Sequence, residues 1–407
     1  MTGSHTDRPA EPTRWPNQLR RLASEPQPLS LAFHPRANSF GFLRWLFAAL
    51  VILDHSYPLG GFGDDALRHW SQGQDTLGGL SVAGFFVISG FLITRSWLHT
   101  GSTVRYLWHR FLRIFPGYWV CLLVTGFILA PLAWHHEHGG AFAVYSAGPV
   151  RPWAYFTSNL WLTIHHYGIA DLLRDTPFGR RSGGAWDGSL WTLIYEFRCY
   201  LLIAVFGLTG VLTRYRGLVL AATAALYVAT VSALVDPSWQ ARVVPVLADV
   251  YVARFTFLFL LGSLLCLYAD RVPIDDRLAV LATVVAVVSL HRGGWFLLGY
   301  PALAYLTLVL AVRLPLRWFG RRNDLSYGIY IYAFPIQQLL AQHGLQRHGG
   351  PALFAGVSLV LTSIVAFVSW RVVEKPALRC KDWTPGRPQR PPRTAARPSR
   401  DRQPVAN

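Results

Sequence analysis

Cysteine is scarce and scattered. Cys121, Cys199 and Cys266 stand singly inside apolar runs and Cys380 stands in the tail, with no CxxC pair, so the sequence offers no disulfide framework. Charge is scarce too, at 14% of 407 residues against 52% hydrophobic, which argues against a soluble chain. Phosphate-cradling and dinucleotide motifs are missing, as are zinc-type spacings and the GxSxG elbow of serine hydrolases. The first forty residues are polar, with Pro and Arg throughout. They contain no short apolar core before a cleavage site, so no signal peptide is expected.

What remains is long apolar runs, rich in Trp, Tyr and Phe, separated by short basic loops. The formal charge of +17 would suggest nucleic acid in a soluble protein, but here the arginines collect between apolar spans, which is a topology signal. The expected fold is all-α, a polytopic bundle of about ten transmembrane helices with both termini cytoplasmic, in the bacterial inner membrane. Residues 1–37 are expected to form a flexible basic segment, 38–376 the membrane domain, and 377–407 a disordered Arg- and Pro-rich tail. The spans are placed at about 40–58, 77–98, 110–134, 190–212, 217–235, 250–268, 278–290, 295–312, 325–340 and 352–370. Residues 135–189 are too polar to span and too long for a turn, and are expected to fold over the outer mouth.

The stretch FGFLRWLFAALVILDHSYP, Phe40–Pro58, organises the rest. It carries Arg44 near one end and Asp54 and His55 near the other, and ionisable groups inside such a span are functional candidates by default. Arg44 and His55 are eleven residues apart, so they share a helix face about 16 Å apart along the axis. Asp54 is offset by about 100°. The bland reading of His55 is a hydrogen-bonded residue at a helix end.

Other polar groups each carry two readings. Arg110 and Arg113 form an i,i+3 pair that suits phosphate, or that anchors the protein to head groups. Glu196 is either a catalytic carboxylate or a structural partner for Arg198 or Arg254. Ser89, in Ser89–Phe91, is either a polar site residue or part of a small-residue helix contact. The run His135, His136, Glu137, His138 and the pair His165, His166 read as solvated loop clusters, so no metal is expected. A transporter of a small carboxylate or acyl-bearing metabolite, with the charged pair as a proton relay, is the rival class. No inverted repeat supports it.

In order along the chain, these elements resemble the acyltransferase-3 family of integral membrane acyltransferases, the O-antigen and exopolysaccharide O-acetylases. Arg44 and His55 match an Arg, ten residues, His pattern. GFFVISGFLI, RFLRIFPGYW, SLWTLIYEFRCYL, SYGIYIYAFPI and VVEKP resemble the later signatures, and the likeness covers about 40–376. Ala333 and Phe334 stand where many members carry a histidine. An SGNH esterase-like domain is not expected, since only a short tail follows Pro376.

The resemblance implies transfer of an acyl group, most often acetyl, from acyl-CoA as co-substrate, with no bound cofactor. The acceptor it implies is a hydroxyl of a carbohydrate or glycolipid, reached directly or through a separate envelope partner. On this reading His55 is general base or transient acyl carrier, Glu196 orients it, and Arg44 completes the catalytic set. Arg110, Arg113, Ser89 and Asp54 are then the substrate-binding candidates. Lipid bilayer and acyl-CoA are the expected partners, and nucleic acid is not.

Overall fold

The computed structural model describes residues 26–236 and 249–383. It is mostly helical, and the two-residue strands Gln27–Pro28 and Pro273–Ile274 make its described sheet. The long helices are α1 (Phe40–Gly60), α2 (Leu77–Thr100), α3 (Thr103–Val124), α4 (Leu193–Leu208) and α5 (Arg216–Val235). They continue with α6 (Val250–Leu267), α7 (Asp276–Arg292), α8 (Tyr300–Arg313), α9 (Ser326–Gln342) and α10 (Pro351–Ser369). Among the described residues, six helices are long and apolar enough to cross a membrane: those containing α2, α3, α4, α6, α8 and α10. The helix α1 falls outside that set because Arg44, Asp54 and His55 dilute an otherwise apolar stretch. Val280, Leu281 and Val284 of α7 and Val360, Ile364 and Val368 of α10 point outward. In a multi-pass membrane protein this is the surface that meets hydrocarbon.

Several boundaries move from the sequence expectation. The α3 helix does not stop at Trp134. A π turn at Thr125–Leu129 passes it into Ala130–His138, so His135, His136 and His138 end a helix instead of opening a loop. There Glu137 accepts from Leu173 N and Gln342 Nε2, and His136 lies against His343, which gives the run a packing role. Pro58 does not end α1, because a proline this close to a helix C-terminus removes only one bond of the last turn; Gly61, in the left-handed region, stops it. Residues 27–37 are held by the strand pair and by the short helix Leu29–Ala32, with Leu29 fully buried, so the flexible segment cannot extend to residue 37. Residues 1–25 lie outside the described part. At the other end, helix Lys375–Arg379 and turn Cys380–Asp382 extend order past the boundary expected at Pro376. Residues 384–407 also lie outside it.

Helices α2 and α6 form the closest pair, and the reason is small residues. A side chain on Gly90 would meet the Phe259 carbonyl at 1.9 Å, and one on Gly262 would meet that of Val87 at 2.1 Å. The backbones therefore touch where leucines elsewhere would hold them apart, and Thr94 donates to Ser263 across the seam at 2.9 Å. Replacing Gly262 by Val should destabilise the protein by about 1–3 kcal/mol through overpacking. A lowered thermal midpoint in detergent is the measurement.

Arg254, an oddity inside α6, is neutralised by Asp75 at 3.3 Å, and the same carboxylate accepts from Trp295 Nε1 at 2.7 Å. Its guanidinium also lies over the rings of Phe296 and Tyr300. That knot is structural and accounts for an arginine at this depth.

The helix α9 runs through the middle of the bundle and is buried along nearly its whole length. Tyr327 OH donates to the Ile114 carbonyl of α3 at 2.7 Å, and Tyr330 OH to that of Ser189 at 3.0 Å. Gln337 Nε2 donates to the Ile52 carbonyl and Ser56 Oγ of α1, both at 2.9 Å. A helix with polar groups on every side reads as ambiguous alone; here Tyr327, Tyr330 and Gln337 each donate to a neighbouring element, although Gln337 Oε1 stays buried and unbonded. Residues 139–189 are packed rather than loose. Tyr155, Trp186 and Asp187 are fully buried, Tyr155 OH bonds Asp187, and Gln338 of α9 donates to the Ala185 carbonyl at 2.6 Å.

Candidate active site

A cavity of about 380 Å³ opens between α1, α2, α3, α4 and α9. Its polar lining includes Arg44, Ser89, Arg110, Arg113, Glu196 and Asp324, and its walls are aromatic and aliphatic, among them Phe85, Leu92 and Tyr330. Five of the residues singled out from the sequence thus converge on one space although they come from four helices. Asp54 and His55 do not line it.

The centre of charge is a residue the sequence reading passed over. Asp324, in the loop before α9, accepts from Arg44 at 3.1 Å and from Arg113 at 2.8 Å through the same oxygen, while Ser326 donates to the other at 2.7 Å. Burial alone would raise this carboxyl, but the guanidiniums of Arg44 and Arg113, with the Ser326 hydrogen bonds, hold it well below the usual carboxylate range. The signal was present as the lone acid after Arg321, Arg322 and Asn323. In a basic loop it looked like topology.

Arg110 differs from Arg113. It has no carboxylate partner among the described residues, and its charge rests over the rings of Tyr106 and Tyr200 at 5.7 and 5.8 Å, with Nε buried and unbonded. One face of the cavity therefore offers a guanidinium whose hydrogen-bonding capacity is unspent.

Glu196 takes neither of the partners suggested for it. Ser89 Oγ donates to its Oε1 at 2.7 Å and Tyr200 OH to the same oxygen at 2.6 Å. Arg198 instead lies over Tyr195, and Arg254 pairs with Asp75. The two readings of the small pair on α2 divide between neighbours: Gly90 makes the helix contact, and Ser89, one residue before it, faces the cavity.

His55 lies deeper along α1 and faces protein, its ring edge-on to Phe334 of α9 at 5.2 Å, with Nδ1 buried and unbonded. No hydrogen bond from His55 to Glu196 is made: Glu196 lines the cavity, where its Oε1 accepts from Ser89 and Tyr200, and the imidazole lies outside it against Phe334. Tyr330 lines the cavity, and Phe334 follows one turn later, about 6 Å further along α9. Phe85 packs against Tyr330 at 5.9 Å, and both rings line the cavity, which His55 does not. Asp54 lies at the N-terminus of α2, where a side chain on Gly78 would meet its Oδ2 at 2.5 Å. That position suits helix capping by an acid, and places Asp54 away from the cavity.

Apolar helices thus surround a cavity lined by three arginines, with His55 partly buried against α9 outside it. Residues 38–371 match the acyltransferase domain family, and the chain belongs to that family. It is a transferase of acyl groups other than aminoacyl groups. The chain is 30% identical to Nodulation protein 10 of Rhizobium leguminosarum bv. viciae over 84% of this chain and 94% of the relative. It is 26% identical to an O-acetyl transferase of Shigella phage Sf6 over 84% and 96% of the two chains. A third relative, the exopolysaccharide production protein ExoZ of Rhizobium meliloti, is 27% identical over 75% and 90%. No solved structure matches the chain.

Proposed function

We propose that the protein is a plasma-membrane O-acetyltransferase that takes an acetyl group from cytoplasmic acetyl-CoA and delivers it to a hydroxyl of an envelope carbohydrate. In this reading the chain crosses the bilayer ten times with both termini inside, the additional crossings being α1, α5, α7 and α9. The observation that carries it is the cavity: Arg110 is unpaired, and Arg44 and Arg113 share a single carboxylate. A donor whose head is phosphate fits that imbalance, while its acyl arm extends along the apolar wall of Phe85, Leu92 and Tyr330. The names of the phage and ExoZ relatives support acetyl as the group and polysaccharide as the acceptor.

For the chemistry, the acceptor oxygen attacks the thioester carbonyl as His55 takes the hydroxyl proton. The C–O bond forms, the C–S bond breaks, and the proton passes to the departing thiolate, so free CoA and the ester leave. This requires the thioester held in the cavity to extend to His55, which lies outside the lining. Glu196 holds Ser89 and Tyr200 in place along the donor path, a positioning role in place of the orienting one.

Purified protein in nanodiscs with radiolabelled acetyl-CoA and envelope glycan fragments tests this directly. Label should appear covalently on the glycan. Label that crosses the bilayer without transfer would instead make the protein a transporter. Charge reversal, Arg110→Glu, should weaken acetyl-CoA binding by more than tenfold, because it puts an anion where phosphate is expected. Unchanged affinity by titration calorimetry would return Arg110 to a membrane-anchoring role.

A further inference from the structure

Two residues lining the cavity, Leu378 and Lys381, lie beyond residue 371, where the family match ends. They belong to the segment that follows α10, and specific bonds hold that segment against the start of α3. Trp108 Nε1 donates to the Cys380 carbonyl at 2.9 Å, and His109 Nε2 lies 3.1 Å from that of Lys381. The rings of Trp108 and Trp383 pack edge to face at 5.4 Å. Arg105 and Asp382 add an exposed ion pair, which contributes little. The Lys381 backbone is thereby clamped while its side chain faces the cavity, near enough to Arg110 and Arg113 for both charges to act on it. Asp382 acts on its ammonium with the opposite sign, but that carboxylate is exposed and pairs with Arg105, and no ion pair to Lys381 is formed among the described residues. Like charges gathered with so little opposing charge are costly, and the arrangement is relieved when an anion with several oxygens sits among them.

We propose that this C-terminal segment is a wall of the donor site, and that Lys381 binds donor phosphate together with Arg110. The assignment rests on the acetyl-CoA reading above and extends it to a residue outside the family's common region. Lysine suits the task as a compact charge with three rotatable donors, beside the planar fork of Arg110. The segment acts as a strap: its bonds to Trp108 and His109 set where the charge stands.

The test is CoA binding to the full chain in nanodiscs of zwitterionic lipid. Lys381→Ala should raise the Kd for CoA about tenfold, the scale of one charge-assisted hydrogen bond, and Lys381→Arg should stay within about threefold of the wild type. For pantetheine, which has no phosphate, the Lys381→Ala protein and the wild type should bind alike. A stop after Arg379 should reproduce the Lys381→Ala effect, and the point variant stands on its own if the truncated chain does not fold. Wild-type binding of CoA with no change in Lys381→Ala would overturn the strap and leave the donor reading intact, and would make Lys381 a head-group contact. An equal loss of pantetheine binding would mean general damage to the cavity, and would also overturn it. Absence of CoA binding to the wild-type chain would defeat the donor reading and the strap together.

Discussion

Replacing His55 by Ala is expected to lower acyl transfer by a factor of about 10²–10⁴, the usual range for loss of a general base, with expression and thermal midpoint close to the wild type. The expectation comes from position. His55 is a partly buried ionisable residue in a largely apolar helix, with Nδ1 buried and unbonded and the ring against α9. Such a group is costly to keep unless it is used. It also packs against Phe334, one helical turn beyond the cavity-lining Tyr330 on α9. The measurement is initial rate on glycan acceptor, normalised to folded protein by gel filtration. Activity near the wild-type level would remove His55 from the mechanism and move attention to Glu196 and Ser89, which already share a hydrogen bond inside the cavity.

Asp324→Ala should lower stability by about 3 kcal/mol, seen as a thermal midpoint several degrees lower. One carboxylate serves two guanidiniums, so its removal leaves Arg44 and Arg113 facing each other with no anion between them. Because the folded-state carboxyl lies well below its ordinary value, this stabilisation is complete at neutral pH. It fades only as pH falls below the ordinary carboxylate range toward the depressed folded value. Combining Asp324→Ala with Arg44→Met should recover part of the loss, since one of the stranded charges is then gone. A midpoint unchanged in the single variant would mean that water entering the cavity screens the triad.

The limits of sequence reading are clearest where a single residue carries two signals. Ser89 and Gly90 are adjacent, and the motif alone left a site role and a helix contact both open for Ser89; facing directions on α2 separate the two residues. Arg254 stood in the sequence as one structural partner open to Glu196. Its actual partner, Asp75, is 179 residues away, in the stretch between the first two expected spans. Asp324 was hidden by its neighbours, because a basic loop is explained well enough by topology. Lys381 fell in a tail read as disordered from its proline and arginine content, and only its bonds to Trp108 and His109 bring it to the cavity.

Hydropathy, arginine placement and helix periodicity determined the membrane class, the approximate helix limits and the residues worth watching, because each is a local property that survives without knowing what packs against what. The tertiary structure alone decided which of those residues meet: that Arg44, Ser89, Arg110, Arg113 and Glu196 share a cavity, and that His55 packs against Phe334 outside it. The physical reason is that a helix spends its backbone bonds within itself, so the energy that chooses partners comes from side chains on other helices, tens to hundreds of residues distant. No window of sequence contains both ends of such a contact.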